Sequence, residues 1–172
     1  MTDPRLFFAL WPDAQVRDEL ASRMKKLQPR EGHSHHPDDL HMTLVFLGPV
    51  ADESRDSIER AADNVVAHSF ELQIDRCGFW AKPRILWTAP ENKPMPLIQL
   101  VKDLNVELMH YGYKPETRAY KPHVTLYRKA QGAELNQLLP AIRWVVSEFV
   151  LASSTVLGAS TTRYQILKRW TL

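Results

Sequence analysis

The segment Leu40-His41-Met42-Thr43-Leu44 returns as Pro122-His123-Val124-Thr125-Leu126, and the two histidines stand 82 positions apart in a chain of 172 residues. Each copy is β-prone and follows a helix and a loop, so two similar halves facing one another would bring two His-x-Thr strands together. On a strand, residues two apart share a face. His41 and Thr43 therefore point one way, as do His123 and Thr125, while Met42, Leu44, Phe46, Val124 and Leu126 point the other way and are apolar. A polar face on two otherwise core-like strands needs a reason. No short-period repeat competes with this one.

The rest of the chain alternates strands and helices with short links. Residues 5–11 read as a buried strand stopped by Pro12, and Asp13 as the N-cap of a helix to about Gln28, with Val16, Leu20, Met24 and Leu27 on one face. Residues 29–39 read as a loop, and 40–47 as a strand ended by Gly48-Pro49. Asp52 opens a polar helix whose apolar side is Ile58, Ala61, Ala62, Val65 and Val66. Residues 70–74 alternate as a half-wet strand and are expected to pair with a strand at 84–89. Pro96 suits a helix start, and Leu97, Leu100, Val101, Leu104 and Leu108 form its core stripe, ending near Tyr111-Gly112. Strands follow at 122–128, 145–156 and 163–170, with a short helical turn at 134–139. This order favours an α+β fold with antiparallel sheets over a doubly wound parallel one.

Composition excludes more than it selects. At 44% hydrophobic and 24% charged residues the chain is that of a globular protein, and no apolar run approaches the ~18 residues of a membrane span. No export signal is visible. The single cysteine, Cys77, excludes an internal disulfide framework and fits a reducing compartment, so a cytoplasmic location is expected. It reads as a small buried hydrophobe. A net charge of +2 is too small to argue for nucleic acid by itself.

An imidazole beside a hydroxyl on each of two facing strands gives two proton-transfer groups and two hydrogen-bond donors. With an ordinary pKa of about 6.5, one histidine can be neutral while the other is protonated, as concerted general base and general acid catalysis requires. The threonines would donate to the non-bridging oxygens of a phosphodiester, and an arginine would balance its charge. Such a site needs neither metal nor cofactor. The residues alone leave open which histidine is the acid and which the base.

The two motifs, the opening Arg5-Leu6-Phe7-Phe8-Ala9-Leu10 and the closing Thr162-Arg163-Tyr164-Gln165-Ile166-Leu167-Lys168-Arg169-Trp170 resemble the 2H phosphoesterase superfamily, in particular its bacterial RNA 2′,3′-cyclic phosphodiesterase branch, also called 2′-5′ RNA ligase-like. The resemblance covers nearly the whole chain. It implies one domain over residues 1–172, made of two intertwined lobes: two pseudo-symmetric antiparallel β-sheets facing across a V-shaped cleft, with helices outside. It implies hydrolysis of 2′,3′-cyclic phosphates at RNA 3′ ends to 2′-phosphates; separately, a monomer is expected. His41 would be the proton donor to the leaving 3′ oxygen, His123 the acceptor that activates water, and Thr43 and Thr125 the phosphate holders. The reverse reaction, a 2′-5′ ligation, uses the same groups.

Arg128 matches a basic position that the family uses near the phosphate, although strict alternation puts it on the face opposite His123 unless a bulge intervenes. For the terminal base, Phe7 or Phe8 and then Tyr120 are the candidate stacking rings. Lys82, Arg84, Arg118 and Lys121 are candidates for a basic rim. Two other readings stay open: a non-catalytic RNA-end or nucleotide-binding module of the same fold, and a metal-dependent hydrolase using the His33–His41 tract, where His33, His35, His36 and His41 crowd together.

Overall fold

The computed structural model describes residues 3–135, 139–154 and 162–172. In chain order the elements are β1 (Arg5–Leu10), α1 (Ala14–Lys26), β2 (Glu31–Ser34), β3 (Met42–Pro49), α2 (Arg55–Asp63), β4 (Phe70–Ile74), β5 (Arg76–Trp80), β6 (Ile85–Ala89), α3 (Met95–Met109), β7 (Val124–Gln131), β8 (Ile142–Val146), β9 (Glu148–Ser154) and β10 (Tyr164–Thr171). Short 3₁₀ turns at Pro37–Asp39 and Asp52–Ser54 precede β3 and α2.

The larger sheet runs β10-β9-β1-β3-β7-β6-β5, with β2 added on β7, and β4 and β8 form a separate two-stranded ribbon. Every pairing is antiparallel. One join differs from the others. Among the described residues β3 and β7 meet at a single pair, Met42 opposite Val124. On either side of that pair the arms β10-β9-β1-β3 and β2-β7-β6-β5 diverge, which opens a cleft between them. The α+β architecture with antiparallel sheets expected from the sequence is the one observed.

One face of the arms is covered by helices. Leu6, Phe8, Leu10, Met42, Leu44, Val124 and Leu126 pack in one cluster with Val16, Leu20 and Met24 of α1, Ile58, Ala61 and Ala62 of α2, and Leu97, Leu100, Val101, Leu104 and Leu108 of α3. Asp13 caps α1, its carboxylate accepting from the Val16 N–H at 2.9 Å. Arg23, one turn from Leu20 and Leu27, is buried as well. Its guanidinium donates to the Ile74 carbonyl (2.9 Å), to the Thr88 hydroxyl (2.8 Å) and to the Pro140 carbonyl, so the charge is solvated by neutral acceptors. The opposite face of each arm carries a smaller apolar cluster: Phe7, Ala9, Val150 and Ala152 on one, and Ile85, Trp87 and Ala89 on the other.

Several expectations are corrected. Residues 31–34 of the expected loop form β2, because their backbone completes the edge of β7. The strand at 70–74 pairs with β8, and the strand expected at 84–89 pairs with β5, which sequence reading missed, and with β7. The strand expected at 145–156 is two strands in different sheets, broken at Ser147, and its last residues lie outside the described ones. The helical turn expected at 134–139 falls largely on residues 136–138, also outside them. Val66 lies past the end of α2 and is exposed. Among the described residues no helix is long and apolar enough to cross a membrane.

Gly78 of β5 leaves space for the Trp87 ring, since a Cβ there would come within 2.1 Å of it. Gly78→Ala should therefore destabilise the fold by about 1–3 kcal/mol through overpacking. A urea midpoint equal to that of the unaltered chain would contradict this packing.

Candidate active site

The Met42–Val124 pair decides where the polar residues go. Both side chains are fully buried on the helix side, so their neighbours point into the cleft. Carrying the antiparallel register one residue each way sets His41 opposite Thr125 and Thr43 opposite His123. All four are half-buried. The alternation read from the sequence holds over these residues: the register brings the two His-Thr pairs side by side, and His41 and Thr43 line the cleft cavity.

The two histidines are held alike. His41 Nδ1 donates to the carbonyl of Asp39 at 2.7 Å, and His123 Nδ1 to the carbonyl of Lys121 at 2.8 Å, each two residues back. A carbonyl only accepts, so Nδ1 carries the hydrogen in both and Nε2 is left for chemistry. The Asp39 side chain is buried and accepts from the N–H groups of Arg163 (2.8 Å) and Tyr164 (3.3 Å), which ties the start of β10 to the His41 loop.

Aromatic rings surround the imidazoles. His41 is stacked on Trp11 (centroids 5.0 Å, 8°), with Phe7 at 5.0 Å and Tyr164 edge-on at 4.9 Å. His123 meets the edge of Trp80 at 4.6 Å. Burial in these surroundings pushes His41 down to about 4, against the raising effect of its bond to Asp39, with His123 and Arg128 adding repulsion. His123 is also lowered, chiefly by burial and then by Arg128, despite its bond to Lys121. Burial thus disfavours charge on both imidazoles, so a protonated member of the pair needs an anion beside it.

The strands do not keep strict alternation past the motif. On β3, Phe8 of β1 lies opposite Val45 and Ala9 opposite Thr43, so Leu44 is an extra residue. On β7, Leu86 lies opposite Tyr127 and Trp87 opposite Thr125, so Leu126 is extra. The leucine that ends each copy of the repeat is thus a bulge, and the phase flips after it. The bulge that Arg128 required is present. The same shift corrects Phe46, which was expected on the core face but lines the cleft.

A cavity of about 620 Å³ is bounded by Arg5, Phe7, His41, Thr43, Phe46, Arg128, Ser154, Arg163 and Tyr164. Phe46 is 44% exposed, with the Arg5 guanidinium over its ring at 5.2 Å. Of the other candidates, Phe7 faces the cleft but is 4% exposed and boxed against His41 and Tyr164, whereas Phe8 lies in the helix-side core. Tyr120 is turned inward, its hydroxyl donating to the Thr43 carbonyl at 3.0 Å. It braces β3 and is not placed as a stacking ring. Arg84 is spent on the carbonyls of Lys129 (2.9 Å) and Ala130 (3.3 Å), while Lys82, Arg118 and Lys121 are exposed. Cys77 is half-buried, its thiol donating to the Thr88 hydroxyl at 3.5 Å.

The histidines of the 33–41 tract part company. His33 is exposed on β2, His35 turns inward, His36 Nδ1 accepts from the Asp38 N–H at 3.2 Å, and His41 enters the cleft. Among the described residues no three His, Cys, Asp or Glu side chains are grouped to hold a metal ion. Sequence reading missed Trp11, Trp80, Tyr164, Phe46 and Arg5. For Phe46 a signal existed: carrying the repeat comparison two residues further aligns it with Arg128.

Fold and site together define the class, the two-histidine phosphoesterases, with one His-x-Thr strand on each side of a cleft. More narrowly, the chain belongs to the 2′-5′ RNA ligase superfamily, whose model matches residues 12–156. It is 34% identical to the RNA 2′,3′-cyclic phosphodiesterase of Escherichia coli over 176 aligned residues, covering 100% of this chain and 99% of that one. The enzyme of the same name from Methanothermobacter thermautotrophicus is 30% identical, covering 72% of this chain and 70% of its own. The crystal structure of E. coli LigT with 3′-AMP superposes with a TM-score of 0.86 at 34% identity, over 99% of both chains. TT0787 of Thermus thermophilus shares the fold, with a TM-score of 0.82 at 22% identity over 98% of this chain and 97% of that one.

Stability should depend on the buried imidazoles. In the unfolded chain they take up protons near pH 6.5, whereas folded His41 resists to about 4 and folded His35 to about 3. Between those values the unfolded state carries more protons, so stability falls as pH drops from about 6.5 towards 4. Urea midpoints at pH 7 and pH 5 should show this loss, and His41→Gln should lessen it. A midpoint unchanged in the unaltered chain would contradict the burial of neutral imidazoles.

Proposed function

We propose that this chain hydrolyses 2′,3′-cyclic phosphates at RNA 3′ ends to 2′-phosphomonoesters, without a metal. The observation that carries the reading is the matched pair of histidines, each tethered through Nδ1 to a carbonyl and each beside a threonine. The names of its relatives support the substrate class. The cyclic phosphate lies between the two His-Thr pairs. Thr43 and Thr125 donate to its non-bridging oxygens, and Arg128 balances its charge. His123 Nε2 takes a proton from water as the water oxygen attacks phosphorus; the bond from phosphorus to the 3′ oxygen breaks, and His41 Nε2 gives that oxygen its proton.

The surroundings favour this division of roles. Three rings shield His41, whereas among the described residues one ring meets His123, which leaves room for the attacking water. The proton on His41 is acquired with the substrate, because a phosphodiester anion in the cleft offsets the charge that burial disfavours. Phe46, with Arg5, offers the terminal nucleotide an open ring that Phe7 and Tyr120 do not. The whole chain acts as one unit of two lobes, a monomer in the cytoplasm, consistent with its single cysteine. Ligation to a 2′-5′ linkage is the same chemistry run backwards, and in ~55 M water hydrolysis dominates.

An oligoribonucleotide ending in 2′,3′-cyclic phosphate, incubated with the protein in EDTA, should yield a 2′-phosphate end. His41→Ala and His123→Ala should each lower kcat by about 10²–10⁴-fold. Full activity in both variants, or activity lost in EDTA, would overturn the reading. The profile of kcat/KM should be bell-shaped with its optimum on the acid side of about 6.5, and kcat should peak at higher pH, since kcat/KM reports the free protein and kcat the complex. Phe46→Ala should raise KM and leave kcat nearly unchanged.

A further inference from the structure

The His33–His36 tract, which the proposed chemistry leaves unused, sends one side chain to the site. β2 pairs with β7, His33 opposite Arg128 and Ser34 opposite Tyr127, and the His35 N–H continues the ladder to the Leu126 carbonyl at 3.0 Å. His35 thereby lies against the bulge that turns Arg128 into the cleft. Its side chain is 7% exposed, and its ring lies 6.4 Å from Tyr164, which belongs to the other arm. The Arg128 Nε–H donates to His35 Nε2 at 3.2 Å.

We infer that His35 is a positioning residue: its neutral imidazole holds Arg128 by Nε and leaves the terminal amino groups of the guanidinium for the phosphate. The inference rests on the proposed phosphate chemistry of the cleft. An arginine side chain is long, and fixing it for a ligand costs entropy that a prior tether removes. The choice of acceptor matters. A carboxylate at this position would neutralise the guanidinium and weaken its attraction for an anion, and its negative charge would raise the pKa of both cleft histidines. An imidazole lone pair fixes the same N–H and leaves the positive charge intact. To accept this bond His35 must be unprotonated, and its burial, together with Arg128, His41 and Arg163 facing it, keeps it so, down to about 3.

Loss of the tether should be felt through Arg128. His35→Ala should weaken inorganic phosphate and a nucleoside 2′-phosphate about tenfold by calorimetry, and raise KM for the cyclic substrate by a similar factor with a smaller change in kcat. His35→Gln, whose amide oxygen can accept the bond, should recover most of the loss. In an Arg128→Ala background the further change to His35→Ala should have no effect. Equal losses in both backgrounds, or none in the Arg128 chain, would overturn the inference. The unaltered protein gives an independent readout: the Arg128 Nε–H should be resolved by NMR at neutral pH, slow to exchange and coupled to His35 Nε2, and its absence would also overturn the tether. If the unaltered chain binds these phosphates but turns over no cyclic phosphate, the proposed function fails and the tether is still tested.

Discussion

One backbone pairing governs this molecule: Met42 of β3 against Val124 of β7. A longer ladder between these strands would flatten the arms into one continuous sheet and close the cleft. With no pairing, the two His-x-Thr strands would have no common register. Among the described residues a single ladder pair between β3 and β7 fixes their register and lets the arms diverge from there. Because Met42 and Val124 are drawn into the core under the helices, the residues on either side are forced into the cleft. The hydrophobic effect thus places the polar groups indirectly, by committing their neighbours.

The leucine after each motif extends this logic. As a bulge, Leu44 or Leu126 stays in the core while its strand shifts phase, so Phe46 and Arg128 come round to the face of the threonines. The two halves differ at that matched position. One offers a cation, the other a ring with Arg5 above it. Two strands with the same motif thus differ just beyond it, an asymmetry that the proposed substrate, with a phosphate at one end and a base beside it, would use.

The electrostatics are those of a site waiting for charge. Around the histidines the acceptors are carbonyls and, for Arg128, a third imidazole, while Asp39 turns its carboxylate to backbone N–H groups of β10. The tether of each of His41 and His123 is a backbone carbonyl, not a carboxylate. Burial accordingly disfavours charge on both imidazoles, and the cations lining the cleft are arginines. In the proposed reaction an anionic substrate completes the balance and couples binding to protonation of His41.

The sequence by itself determined the elements with strong local periodicity, such as α1 with its Asp13 cap and the stripe of α3, and it determined the paired histidines and threonines, whose alternation is a property of any strand. It also carried the family, since the motifs and both chain ends bear the resemblance. Only the tertiary structure decided the partners of β4 and β6, the splitting of the 145–156 segment, the inward turn of Tyr120 and His35, and the aromatic box of Trp11, Phe7 and Tyr164 around His41. Those depend on which strand edges are left unpaired and on contacts between residues up to 157 positions apart, as between Phe7 and Tyr164. Local pattern does not encode such contacts. It fixes which face of a strand is apolar, and the packing of distant segments fixes what that face meets.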